Sequence, residues 1–103
     1  MEYITINEEQ KPFRFSLRGL KRLEAATGKE LFSNIMNGKE SSFGDTILLA
    51  ERVLFIGLSE GAKKAKEDFT FKVDQIEEIV DDGGMAFLEE IMGLFEKCIS
   101  SPK

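Results

Sequence analysis

Two short apolar runs separated by a polar stretch open the chain. Residues 3–6 combine β-branched and aromatic side chains, residues 7–11 are polar, and Phe13 and Phe15 then alternate with polar neighbours. This pattern predicts an antiparallel β-hairpin over residues 1–16. Because a lone hairpin is only marginally stable in water, we expect it to pack against the helices that follow.

Apolar residues recur at helical spacing from the end of the hairpin onwards. Ser16 is a good N-cap for a first helix, Gly28 is suited to end it, and a short second helix is predicted over residues 31–36. The predicted core-facing residues of the first helix are Leu17, Leu20, Leu23 and Ala26. Their spacing of three residues places them on one face of the helix.

The next helix is predicted over residues 45–58, with Asp45 as its N-cap. Its apolar residues surround nearly the whole helix axis, which is typical of a buried central helix. After this helix, Phe69, Phe71 and Val73 alternate with polar residues. The alternation fits either a third short strand or the entry to a helix, and periodicity does not decide between the two.

Two further helices complete the pattern, separated by a run of two Asp and two Gly at residues 81–84. The first carries an apolar stripe over residues 73–80, and the second spans about residues 85–99. The apolar residues of this last helix cover close to half of its circumference, which is wider than the roughly 100° stripe that one core contact needs. Residues 17–99 are therefore the predicted helical part, and residues 100–103 a frayed tail.

The elements together predict an α+β domain that is predominantly helical, with an N-terminal β-hairpin packed on a four- to five-helix bundle. The 103 residues, 42% apolar and 32% charged, suit a single globular domain over residues 1–103. No apolar run approaches the roughly 18 residues of a membrane span, and no basic region leads into an apolar stretch at the N-terminus. We therefore expect neither membrane insertion nor a signal peptide.

Composition argues against catalysis and metal binding. The chain has no histidine, which is the commonest general base and a frequent metal ligand. Cys98 is the one cysteine, which excludes an internal disulfide and a cysteine zinc cluster. No pairing of a base with a nucleophile stands out. We expect a non-enzymatic protein without catalytic, cofactor-binding or metal-binding residues.

Charge is distributed unevenly along the chain. Residues 74–96 contain eight acidic residues and no Lys or Arg, and we interpret them as a solvated surface that repels wrong partners or attracts a basic one. A basic cluster on the hairpin and first helix comprises Arg14, Arg18, Lys21 and Arg22. It fits either nucleic-acid binding or a contact with the acidic C-terminal half, within or between subunits. The net charge of −5 makes nucleic acid the weaker alternative.

The last helix carries the candidate partner-binding residues. Its wide apolar face has Phe87 and Leu94 on one shoulder, Met85 on the other, and Cys98 on the same face. These four residues are either plain core, with Cys98 as a small buried hydrophobe, or a surface for a protein partner or for self-association. Flexible Met side chains adapt to varied partners, and exposed apolar patches mark protein interfaces.

The order of features along nearly the whole chain resembles a known family. A hairpin leads into a helix with the pattern Leu-x-x-Leu-Glu-x-x-x-Gly. The matching residues are Leu20, Leu23, Glu24 and Gly28. A hydrophobic helix ending in Gly57-Leu58 follows, and then two more helices, the first of which ends in an acidic turn. In this order the chain resembles the small tail assembly chaperones of long-tailed bacteriophages and gene transfer agents.

The resemblance implies a non-enzymatic assembly factor in the cytoplasm of the bacterial host, absent from the mature virion. Such chaperones bind the tape measure protein and assist polymerisation of the tail tube protein around it. Two alternatives stay open at this point. One is a structural virion component, such as a tail-completion or head–tail joining protein, and the other is a small nucleic-acid-binding regulator.

Overall fold

The chain folds as an N-terminal β-hairpin followed by four helices, in a computed structural model that describes residues 1–39 and 42–100. The elements are β1 (Glu2–Ile6), β2 (Glu9–Phe13), α1 (Leu17–Thr27), α2 (Lys29–Met36), α3 (Phe43–Ala65) and α4 (Val73–Ser100). The predicted mostly helical domain with an N-terminal hairpin is confirmed. None of the helices in the described part of the chain is long and apolar enough to cross a membrane.

The hairpin is closed by a two-residue turn. β1 and β2 pair antiparallel, with Ile6 opposite Glu9. Asn7 and Glu8 between them both have positive φ, 52° and 69°, as in the type I′ turn whose twist matches that of the paired strands. The turn is shorter than the predicted polar stretch of residues 7–11, because the polar residues continue into the exposed start of β2.

The hydrophobic core lies between the hairpin, α3 and α4. Its buried members are Ile4, Ile6, Phe13, Phe15, Leu23, Leu49, Ala50, Val53, Leu54, Ile56, Leu58, Ile76, Val80, Leu88, Ile91 and Phe95. The ring of Phe15 stacks on that of Phe13, with centroids 6.2 Å apart, and meets that of Phe95 edge to face at 5.0 Å. Aromatic rings therefore anchor the hairpin to α4.

The first helix, α1, buries a different face from the predicted one. Leu23 is fully buried, but Leu17 is 84% exposed and Ala26 is exposed as well. The prediction that Leu17 and Ala26 face the core is therefore wrong. The reason is that Gly19 lies directly against the ring of Phe15. The small residue admits the ring, so α1 turns the side of Gly19 and Leu23 towards the hairpin and core.

The central helix, α3, is longer than the predicted range of residues 45–58 and extends by about two turns beyond its end. Its burial confirms the prediction of a central helix. Gly57 and Gly61 lie inside it rather than at its end. A Cβ on Gly61 would overlap the backbone carbonyl of Pro12, so this glycine is what allows the hairpin to lie directly on α3.

Two segment boundaries are decided by the structure. The N-cap of α3 is Ser42 rather than the predicted Asp45, because the Ser42 Oγ accepts a hydrogen bond of 3.1 Å from the Asp45 backbone N–H. Residues 67–72 belong to neither a strand nor a helix. Within them, the ring of Phe69 packs edge to face on that of Phe55, with centroids 5.2 Å apart. The alternation therefore reflects packing on α3 and not strand pairing.

The last helix, α4, is continuous apart from one residue. Gly84 has φ 70° and ψ −164°, which interrupts the helical backbone and kinks the helix. The break predicted at residues 81–84 is thus a kink at a single position. Ser100 is the last residue of α4, and the remainder of the predicted tail, residues 101–103, lies outside the described part of the chain.

Candidate functional site

An apolar groove of about 240 Å³ lies between the first half of α3 and the kink of α4. We call it the α3–α4 groove. Its lining residues are Phe43, Ile47, Glu51, Glu77, Val80, Asp81, Gly84, Met85 and Leu88. Five of these have large apolar side chains and three are carboxylates, so the groove combines an apolar interior with acidic charge.

The groove lies beside the kink of α4. Val80 and Leu88 are buried on either side of the kink and form the apolar floor. Gly84 lies between them in the sequence. Apart from Gly84 itself, its chain neighbours and the backbone of the same helix, no heavy atom lies within 4 Å of the position that a Cβ would occupy there. The space beside Gly84 is therefore open.

Two exposed apolar side chains border the groove. Phe43, in the first turn of α3, is 61% exposed, and Met85, just after the kink of α4, is 53% exposed. Met85 is one of the predicted partner-binding residues. Phe43 was missed because it precedes the predicted start of the helix. Its spacing of four residues from Ile47 is the signal that could have placed both on one helix face.

Three carboxylates share this groove. Glu51 comes from α3, and Glu77 and Asp81 come from one side of α4, four residues apart. Like charges at that spacing destabilise a helix slightly. Burial raises the pKa of Glu51, the negative charge of Glu77 raises it further, and the positive charge of Arg52 opposes both. The acidic charge of the groove is therefore incompletely neutralised by the protein itself.

The other predicted partner-binding residues lie away from the groove. Phe87, Leu94 and Cys98 are each partly buried and packed against the core. Phe87 lines a separate depression next to Ile6 at the end of β1. Burial raises the pKa of the Cys98 thiol, while a hydrogen bond with the Phe15 backbone lowers it. Of the four predicted residues, Met85 lines the α3–α4 groove and the other three do not. The four residues therefore do not form one patch.

A buried carboxylate organises part of the basic cluster. The side chain of Glu60, in α3, is 2% exposed and accepts hydrogen bonds at 3.1 Å from the Arg18 Nε and 2.7 Å from the Arg22 Nη1. Burial raises the pKa of Glu60, but these hydrogen bonds and the positive charges of both guanidinium groups lower it by more. Within the chain, Arg18 and Arg22 therefore contact Glu60 of α3 and not the acidic residues of positions 74–96, while a contact between subunits stays a prediction.

The remaining residues of the predicted basic cluster are Arg14, which lines the same depression as Arg18 and Glu60, and Lys21. Arg14 lines a depression of about 390 Å³ with Lys63, Lys64 and Lys66 from the end of α3, and Lys21 is exposed on α1. Lysines in the last turn of a helix interact favourably with the helix dipole. That local role accounts for Lys63 and Lys64, and nucleic-acid binding by this surface stays a prediction.

Within the described residues, no group of three His, Cys, Asp or Glu side chains is arranged to hold a metal ion.

Comparisons of the chain with protein-family models, with curated proteins and with solved structures find no match.

Proposed function

We propose that the protein is a tail assembly chaperone of a phage or prophage. In this role it binds the tape measure protein in the bacterial cytoplasm, assists polymerisation of the tail tube protein, and is not retained in the mature virion. The observation that carries the proposal is the α3–α4 groove, bordered by the exposed side chains of Phe43 and Met85. A groove between helices is a common docking surface for an apolar helix face, and the order of sequence features resembles this chaperone family.

The size of the groove suits a reversible interaction. A volume of about 240 Å³ lies below the roughly 300–1,000 Å³ of small-molecule sites, so it is better matched to one or two side chains of a protein partner. Burial of one large apolar side chain contributes roughly 1.5–3 kcal/mol, whereas micromolar binding needs about 8 kcal/mol. One groove therefore binds weakly, as expected for a chaperone that the polymerising tube displaces.

Surface charge supports the same role. The chain has a net charge of −5, and most of the acidic residues on α4 are exposed. A net charge away from zero keeps a protein with an exposed apolar groove soluble. A chaperone that holds an apolar client needs both properties in the same molecule.

The first prediction tests the groove against the client. The protein is co-expressed with segments of a phage tape measure protein, and the soluble client captured by the purified protein is measured. We expect a double substitution of Phe43→Ser and Met85→Ser to lower capture by about tenfold or more, because two apolar contacts are lost. Since both side chains are exposed, the free energy of unfolding should change by no more than about 0.5 kcal/mol.

Leu17→Ser is the matched control, because Leu17 is an even more exposed apolar residue but lies on α1, away from the groove. Capture by this variant should equal that of the wild type. Undiminished capture by the folded double variant would reject the groove as the client site. Stable, stoichiometric recovery of the protein from purified particles would instead identify a structural virion component.

A further inference from the structure

The α3–α4 groove has a charge pattern that restricts what can bind in it. Its interior is apolar, and its charged lining residues are Glu51, Glu77 and Asp81. Among the described residues, no Lys or Arg side chain lines the groove or forms an ion pair with these carboxylates. An anionic or purely apolar occupant would supply no positive charge to these carboxylates, of which only Glu51 is partly offset, by Arg52 outside the groove lining.

One of the three carboxylates, Glu51, is partly buried and shares the groove with the carboxylate of Glu77. Burial raises the pKa of Glu51, and the carboxylate of Glu77 on the facing helix raises it further, against the opposing charge of Arg52. A cation supplied by a partner at this position would offset both the cost of desolvating Glu51 and the repulsion between the two acids. The groove therefore gains most from an occupant that carries positive charge next to an apolar side chain.

The shape of the groove indicates the secondary structure of the occupant. Both of its walls are helices, α3 and α4, and the residues that line α3 recur every four positions at Phe43, Ile47 and Glu51. Ridges at this spacing accept the ridges of another helix. The unpaired strand edges that an extended peptide would need belong to β1 and β2, and neither strand contributes to the groove.

We propose that the α3–α4 groove binds a basic amphipathic helix, whose apolar anchor enters between Phe43 and Met85 while Lys or Arg side chains beside the anchor pair with Glu51, Glu77 and Asp81. This inference rests on the proposed function, since it names the chemistry of the client segment. It also excludes client segments of the opposite charge. Acidic helices with the same apolar pattern are rejected by the groove, because like charges that face each other across an interface oppose binding.

The test uses the full chain and two synthetic peptides of about 18 residues, or five helical turns. Both carry Leu at positions i, i+3, i+4 and i+7, with Lys at the remaining positions of one and Glu at those of the other. Fluorescence anisotropy measures the affinity of each labelled peptide. Three exposed ion pairs together are worth roughly a factor of ten, so we expect the Lys peptide to bind about tenfold or more tightly than the Glu peptide.

Charge-matched variants separate the groove from general attraction to an acidic protein. The double variant Glu51→Gln with Glu77→Gln should weaken binding of the Lys peptide by several-fold. The control, Glu89→Gln with Glu90→Gln, changes the net charge by the same amount but at exposed residues outside the groove, so it should weaken binding less. Equal effects of the two double variants would overturn the inference. So would binding of the Lys peptide that survives Phe43→Ser with Met85→Ser, because that change keeps all the charges.

The outcomes distinguish this inference from the proposed function. If Phe43→Ser with Met85→Ser removes client capture but the two peptides bind equally, the chaperone role stands and the charge selectivity is wrong. If the Lys peptide binds through the groove but no segment of the tape measure protein is captured, the groove chemistry stands and the chaperone role is wrong. A concentration-dependent dimer in sedimentation that the same double variant abolishes would overturn the inference in favour of a second copy of the chain.

Discussion

At the scale of single residues, Glu60 stands out among the described residues as a charged side chain that is almost fully buried. Its carboxylate is almost fully buried in α3, yet it receives hydrogen bonds from Arg18 and Arg22, which themselves remain partly exposed. Breaking an ion pair with one buried partner leaves the other charge unmatched. The exposure of both arginines lets water solvate them, so the loss is smaller than for a fully buried pair.

The second prediction concerns this ion cluster. Glu60→Gln should lower the free energy of unfolding by about 1–2 kcal/mol at pH 7, because charge-assisted hydrogen bonds are lost. Since the pKa of Glu60 is lowered from its ordinary value of 4.5, its contribution is present above that pH and is lost as the pH falls below it. Urea unfolding of both proteins at pH 7 and pH 3 measures this difference.

The control for this measurement is Glu67→Gln, at an exposed position just after α3, which should change stability by less than about 0.5 kcal/mol at both pH values. The gap between the wild type and Glu60→Gln should shrink at pH 3. A gap that is equal at the two pH values would show that the carboxylate charge does not stabilise the fold.

At the scale of the elements, the kink of α4 connects local conformation to the groove. Gly84 adopts φ 70° and ψ −164°, a region that is essentially restricted to glycine. Val80 and Leu88 are buried on both sides of the kink, and the space beside Gly84 is open. Gly84 also lines the groove, so a change in its backbone conformation would alter the shape of the groove.

The third prediction compares two glycines of α4. Gly84→Ala should destabilise the protein by about 1–3 kcal/mol, because alanine is strained in that backbone conformation. Gly93→Ala, in an exposed part of the same helix with nothing within 4 Å of the added Cβ, should stabilise it by about 0.5–1 kcal/mol. Urea unfolding checks both values. If Gly84→Ala proved as stabilising as Gly93→Ala, the kink would not be a property of the native fold.

At the scale of the whole molecule, the hairpin is part of the core and not an appendage. The ring of Phe13 fills the space left by Gly57, where a Cβ would collide with it. The backbone N–H of Arg14 donates a hydrogen bond of 3.0 Å to the carbonyl of Gly57. Since domains of this size have only about 5–15 kcal/mol of stability in total, the contacts of one ring with α3 account for a substantial share.

The fourth prediction tests this role of the hairpin. Phe13→Ala should lower the free energy of unfolding by about 3–5 kcal/mol, the usual cost of removing a fully buried aromatic ring. Tyr3→Ala, on the same hairpin but 55% exposed, should cost about 0.5 kcal/mol or less. Thermal and urea unfolding measure both changes. Equal, small effects would mean that the helices are stable without the hairpin.

Local residue types and periodicity in the sequence were sufficient to predict the hairpin, the buried central helix and the interruption near Gly84. The alternation of Phe13 and Phe15 indicates a strand with one buried face, and the apolar residues on all sides of residues 45–58 indicate a buried helix. The apolar character of Met85 could likewise be recognised as a candidate contact. These properties are local because they follow from the repeat of one strand or one helix.

Which elements face each other was decided only by the tertiary structure. Leu17 is exposed because α1 packs its Gly19 side against the ring of Phe15. Glu60 can be buried because two arginines of α1 form ion pairs with it. Phe43 and Met85 are 42 positions apart in the sequence and share a groove only because α3 packs on α4. A periodic pattern specifies which side of an element is apolar. Packing between distant segments decides which element covers that side and which part of it stays open.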